Sequence, residues 1–92
     1  MSLKTARCIH VIDGDTIELD DGERIRYEGV DALELGTPGG EEAKRVNESS
    51  VLNKIIQYEE KARDPFGRIV AQVYVDGISV NQALIDRGWR AK

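Results

Sequence analysis

Three Asp-Gly pairs, Asp13-Gly14, Asp21-Gly22 and Asp76-Gly77, divide this 92-residue chain into short stretches rich in Val, Ile, Thr and Tyr. Asp-Gly suits tight hairpins because glycine and, less readily, aspartate tolerate positive φ. The spacing predicts strands over about 4–12, 15–20 and 23–30. In the third, Arg24, Arg26 and Glu28 alternate with Ile25 and Tyr27, the pattern of a strand with one buried face. Joined by short turns, the three strands form a meander.

Residues 35–40 read as a loop, with Thr37-Pro38 and Gly39-Gly40 as breakers. Good helix formers without strand alternation predict a helix over 41–53. A strand over 55–62, a turn at Asp64-Pro65-Phe66-Gly67 and an apolar strand over 68–75 follow. Ser79-Val80-Asn81-Gln82 has the form of a capping box, in which Ser79 accepts from the backbone and Gln82 reaches back. Val80, Ala83 and Leu84 form the buried face of this second helix, and Gly88 closes it. The expected fold is mainly β, a five-stranded OB-type barrel with two helices, which removes exposed sheet edges. An open antiparallel sheet with two helices on one face is the rival.

Residues 1–92 are expected to form one domain, since a second would leave neither half a core. Aromatic residues make up only 5% of the chain, so Val, Ile and Leu must fill that core. Cys8 is the only cysteine, which excludes an internal disulfide and a cysteine-based metal cluster. No apolar run reaches the length of a signal peptide or membrane helix. The expectation is a soluble monomer with no membrane partner, secreted if a leader has been removed and cytoplasmic otherwise.

Two acidic clusters stand out, Asp13-Gly14-Asp15-Thr16 and Val30-Asp31-Ala32-Leu33-Glu34. In a hairpin, Asp15 begins one strand and Asp31 ends the next, so their carboxylates can converge at one end. Hard oxygen donors there suit Ca²⁺ or Mg²⁺ far better than zinc. The plainer reading is a turn aspartate and a solvated loop acid. Arg26 sits among apolar neighbours and Arg68 heads a core strand; guanidinium forks match phosphate oxygens, and equally a surface arginine can snorkel. The formal net charge of −4 opposes the basic balance usual in nucleic-acid binders. A divalent cation shared by carboxylates would halve it, so charge alone decides nothing. His10, within an apolar strand, and Trp89, after the second helix, read as structural residues; Lys44, Arg45 and Lys54 read as a solvated face.

Val11-Ile12-Asp13-Gly14-Asp15-Thr16-Ile17, followed by Ile25-Arg26-Tyr27-Glu28-Gly29-Val30-Asp31, resembles the opening of the staphylococcal nuclease (thermonuclease-like) domain family. Asp64-Pro65-Phe66-Gly67-Arg68 with Ala71-Gln72-Val73-Tyr74-Val75-Asp76-Gly77 resembles its middle. The segment from Val80 to Trp89 resembles its closing helix. The resemblance implies Ca²⁺ as cofactor, with Asp15 and Asp31 as carboxylate ligands and Ala32 supplying a backbone carbonyl. It implies Asp13 as a nearby supporting acid, Glu34 as the group that orients or deprotonates the attacking water, and Arg26 and Arg68 as the phosphate grip. Leu33 stands where the family has proline, so its fixed φ is absent. Phe66 stands at a substrate-binding position where a tyrosine hydroxyl often bonds phosphate, and the chain ends before the tyrosines that line the nucleotide site in longer relatives.

The implied activity is calcium-dependent hydrolysis of DNA or RNA on the 5′-oxygen side, releasing a 3′-phosphate, with single-stranded or flexible substrate preferred. Little sequence preference is expected, because the groups contact phosphate rather than base edges. The alternative is a non-catalytic domain of the same fold that binds nucleic acid or a protein partner.

Overall fold

The computed structural model describes residues 2–91. Strand β1 (Lys4–Val11) pairs antiparallel with β2 (Thr16–Leu19), and β2 pairs antiparallel with β3 (Arg24–Tyr27). Helix α1 (Pro38–Val51) is followed by β4 (Ile55–Arg63), β5 (Ile69–Val75), the two-residue β6 (Ile78–Ser79) and α2 (Val80–Asp86). β4 lies between β1 and β5, antiparallel to both. β3 then meets β5 in parallel, Ile25 opposite Ile69 and Tyr27 opposite Ala71. A parallel pair needs a long crossover, which α1 and β4 supply. That pairing closes five strands into the expected OB-type barrel, and β6 only extends β5.

The barrel interior follows from the period-2 alternation of side chains along each strand. Ile17 and Leu19, Ile25 and Tyr27, and Ile69, Ala71 and Val73 all point inward and are 0–1% exposed. Val51 of α1 and Val80 and Leu84 of α2 join the same core, with Trp89 half-buried against it. Among the described residues, no helix is long and apolar enough to cross a membrane.

The Asp-Gly pairs divide by cause. Asp76 (φ 52°) and Gly77 (φ 79°) have the two positive angles a type I′ hairpin needs, and they join Val75 directly to Ile78. Gly14 answers instead to space: a Cβ there would lie 2.5 Å from the Ala43 Cβ and 2.6 Å from the Ala32 Cβ.

Helix α1 starts at Pro38, so Gly39 and Gly40 belong to its first turn rather than to the preceding loop. Thr37 caps it, its hydroxyl accepting from the Gly40 N–H at 3.0 Å, and Pro38 enters with its φ already helical. Gly40 is needed because a Cβ there would overlap the Glu34 carbonyl, whereas one on Gly39 would meet only the exposed end of the Leu33 side chain, which can turn away. In α2 only half of the expected capping box forms. The Ser79 hydroxyl accepts from the Gln82 N–H at 3.0 Å, but the Gln82 amide donates forward to Asp86 at 2.8 Å. Ala83 is exposed, and Asn81 takes the place expected of it in the packed face. Backbone groups decide this: the Asn81 side chain accepts from the Val73 N–H and donates to the Glu28 and Ala71 carbonyls, all within 3.0 Å.

Candidate active site

The end of the β2–β3 hairpin builds the first half of the site. Thr16 lies opposite Arg26, and the Tyr27 N–H donates to the Asp15 carbonyl at 2.9 Å, so Asp15 and Arg26 emerge together. The loop before them is held twice. The Asp13 carboxylate accepts from the Asp15 N–H at 3.0 Å. From α1, fully buried Asn47 donates to the Asp13 carbonyl at 2.9 Å and accepts from the Tyr27 hydroxyl at 2.6 Å. Asp31 is brought in by the segment after α2: its N–H donates to the Trp89 carbonyl at 2.9 Å, beside a Val30–Arg90 bridge.

Arg26 stands between the two acids. Its Nη1 donates to the backbone carbonyls of Val30 (2.6 Å) and Tyr27 (3.2 Å). Its Nη2 lies 3.7 Å from Asp15 Oδ2 and 3.7 Å from Asp31 Oδ1. Asp15 is 8% exposed and accepts from the Thr16 hydroxyl at 3.0 Å and the Ala32 N–H at 3.2 Å. Burial pushes its carboxyl above the ordinary range and neighbouring Asp13 adds to this; the Ala32 N–H and Arg26 offset only part.

The second half stands at the β4–β5 turn. Arg68 Nε donates to Asp64 Oδ2 at 2.6 Å, its guanidinium carbon lies 5.3 Å from the centre of the Phe66 ring, and its Nη1 donates to Thr16 Oγ1 at 3.4 Å. The Thr16 hydroxyl in turn donates to Asp15, so one hydroxyl links the two halves. A cavity of about 270 Å³ is lined by Arg26, Arg68, Phe66 and Val30. Phe66 is 83% exposed and has no polar atom to offer a phosphate.

Glu34 is placed differently. Its carbonyl accepts from the Thr37 hydroxyl at 2.7 Å and packs on Gly40, which fixes its backbone without the proline. Its side chain is exposed and makes no hydrogen bond or ion pair among the described residues. Among those residues no three His, Cys, Asp or Glu side chains converge as a metal cage. Asp15 and Asp31 nevertheless face a common cationic group, the Arg26 guanidinium, and both are hard oxygen donors. The Asp15 carboxyl is raised chiefly by burial and then by the adjoining Asp13. The pair of Asp15 and Asp31, completed by a backbone carbonyl and water, fits a divalent cation of the calcium type.

His10 is exposed on β1, 3.7 Å from Glu18 and remote in contact from these groups. Thr16, Asn47 and Asp64 are the site residues that the sequence reading did not single out. Thr16 and Asp64 belong to the Asp13-Gly14-Asp15-Thr16 cluster and the Asp64-Pro65-Phe66-Gly67 turn, whereas Asn47, within a helix, carries no local signal.

A family model described as staphylococcal nuclease homologue matches residues 24–91. An uncharacterized endonuclease of Escherichia coli is 38% identical over 86 residues, covering 89% of this chain and 56% of that protein. Endonuclease YncB of Bacillus subtilis (strain 168) is 39% identical over 89 residues, covering 84% of this chain and 42% of that protein. A thermonuclease of Staphylococcus hyicus is 32% identical over 96 residues, 92% of this chain and 57% of its own. The chain thus spans about half the length of the curated relatives it matches.

Proposed function

Because this chain belongs to the family of staphylococcal nuclease homologues, we propose that it is a calcium-dependent phosphodiesterase that hydrolyses DNA or RNA with little sequence preference. The observation that carries this reading is that the Arg26 and Arg68 guanidiniums line one cavity, with Asp15 and Asp31 each 3.7 Å from Arg26 and with Arg68 linked to Asp15 through the Thr16 hydroxyl. Attack on a phosphodiester builds negative charge on the phosphoryl oxygens, and donors already in place stabilise it without reorganising. Arg26, anchored through Nη1 to two carbonyls, offers Nη2. Arg68, anchored through Nε, offers its Nη edge.

Asp15, Asp31 and the Ala32 carbonyl would hold Ca²⁺, with Asp13 fixing the loop behind Asp15. When bound, the ion supplies further positive charge opposite the phosphoryl oxygens. Glu34 accepts the proton of the attacking water; its backbone is fixed and its carboxylate is free to turn toward the substrate. Phe66 contacts substrate through its ring face alone.

Single-stranded DNA incubated with the protein should be cut in calcium and spared in excess chelator, and Glu34→Gln should lower the rate about 10²–10⁴-fold. Cleavage indifferent to both changes, with contaminating nuclease excluded, would sink the reading. A second reading, a non-catalytic domain that binds nucleic acid or a protein partner, is favoured by the isolation of the Glu34 side chain from the other acids. It expects no calcium-dependent cleavage and a salt-sensitive association that ignores Glu34.

A further inference from the structure

The turn that carries Arg68 holds an aspartate with more contacts than the turn requires. Residues 64–68 are closed by backbone bonds alone: the Asp64 N–H donates to the Arg68 carbonyl at 3.0 Å and the Gly67 N–H to the Asp64 carbonyl at 3.0 Å. Gly67 adopts φ +82°, and Pro65 presets its own φ. Asp64 Oδ1 then accepts from the N–H groups of Phe66 (3.0 Å) and Arg68 (2.9 Å), the ordinary work of a turn aspartate. Oδ2 has a separate partner, Arg68 Nε at 2.6 Å. The same fold supplies a control. Asp21 accepts from the Glu23 N–H at 2.9 Å through one oxygen, and among the described residues no guanidinium meets its other one.

We infer that Asp64 is the positioning residue for Arg68, fixing the guanidinium by its Nε edge so that the Nη edge faces the cavity. The chemistry demands a carboxylate. Two N–H groups and one N⁺–H converge on it from two sides, so both oxygens must accept, and asparagine has only one acceptor. A charge-assisted bond of this length holds direction as well as distance. The Phe66 ring covers the guanidinium at 5.3 Å, and Thr16 Oγ1 takes Nη1 at 3.4 Å, a longer and weaker contact that an arriving phosphate can replace. Arg68 thus reaches the cavity already aimed. This role rests on the proposed phosphate-handling reading, but its geometry is testable without cleavage.

The test compares wild type, Asp64→Asn and Asp64→Ser by the ¹⁵N–¹H resonance of Arg68 Nε, assigned with Arg68→Lys, during titration with inorganic phosphate. In wild type that resonance should be sharp, protected from exchange and shifted saturably by phosphate. In Asp64→Asn it should lose protection and need roughly tenfold more phosphate at a temperature where the variant, though it melts somewhat lower, is fully folded. With single-stranded DNA, Asp64→Asn should lower the rate about 10²-fold, the scale of a misplaced catalytic group. An Arg68 resonance and phosphate response unchanged in Asp64→Asn would overturn the assignment. So would losses that track melting temperature alone across both variants, since these mark a turn-former. A wild type that cuts nothing would defeat the proposed nuclease activity, whereas the resonance would still decide the role of Asp64.

Discussion

The two arginines of the site face aspartates in opposite electrical states. At the β4–β5 turn, Arg68 and Asp64 meet at 2.6 Å; burial alone would raise the Asp64 carboxyl, but the N–H and guanidinium of Arg68 and the Phe66 N–H hold it below the usual range. At the barrel rim, Arg26 gives its short bonds to carbonyls and stays 3.7 Å from Asp15 and Asp31, and the Asp15 carboxyl is pushed up. One pairing is a closed, charge-assisted bond; the other leaves Arg26 Nη2 between two carboxylates with no short bond to either. The lesson is that geometry separates two kinds of ion pair: a 2.6 Å bond that fixes a guanidinium edge, and a pair of 3.7 Å approaches that leaves one open.

Activity gives the largest contrast. Arg26→Ala and Arg68→Ala should each lower cleavage of single-stranded DNA about 10²–10³-fold, since each removes a donor to the charged phosphoryl group. In calcium titrations the two should separate: Arg26→Ala should change the apparent affinity for the ion and Arg68→Ala should not. Equal shifts in both would erase the distinction. Next in size is Asn47→Ala, which leaves the Tyr27 hydroxyl buried without an acceptor and should cost about 1–3 kcal/mol by urea denaturation. It should also weaken calcium binding by loosening the Asp13–Asp15 loop, an effect that no substitution at the Arg68 turn should reproduce.

A smaller effect concerns charge itself. A buried acid with a raised carboxyl costs stability as pH rises past its unfolded value, because the folded state then holds the proton more tightly than the unfolded one. Asp15→Asn should therefore melt at the same or a higher temperature than wild type in chelator at neutral pH, and should lack the calcium-induced rise expected of wild type. Asp64 has the opposite sign. Its lowered carboxyl contributes stability above the ordinary aspartate range, and that contribution disappears as pH falls through the lowered folded value. Melting curves on acidification should show wild type losing a margin over Asp64→Asn that it holds at neutral pH. Smallest of all, Lys44→Ala should leave the chemical step unchanged, since Lys44 lies on α1 outside the cavity lining.

Much of this was legible in the chain because it is local. Alternation around Ile25 and Tyr27, the Asp76-Gly77 hairpin and the apolar 68–75 stretch report their own geometry, while the choice of a closed barrel over an open sheet rests on the β3–β5 pairing. What stayed hidden depends on distant neighbours. Gly39-Gly40 reads as a breaker until the Glu34 carbonyl is known to press on the helix start. Asn81 displaces Ala83 from the packed face because three backbone groups, two on β5 and one just past β3, bond to its side chain. Asp64 looks like any turn aspartate, since nothing near it in sequence says that its second oxygen meets a guanidinium. The two arginines stood out in sequence as types; that they line one cavity follows from the β3–β5 pairing.

That parallel pairing also decides when the site is whole. Everything around Arg26 comes from the first third of the chain, save the Trp89 clasp and the Asn47 prop, whereas Arg68 becomes its neighbour only when residues 25–27 dock on 69–71. Contacts so far apart in sequence carry the entropic cost of closing the long intervening loop. A chain without β5 therefore cannot set Arg68 beside Arg26 in this way. For a site proposed to need both guanidiniums, closing the barrel and completing the site are one event.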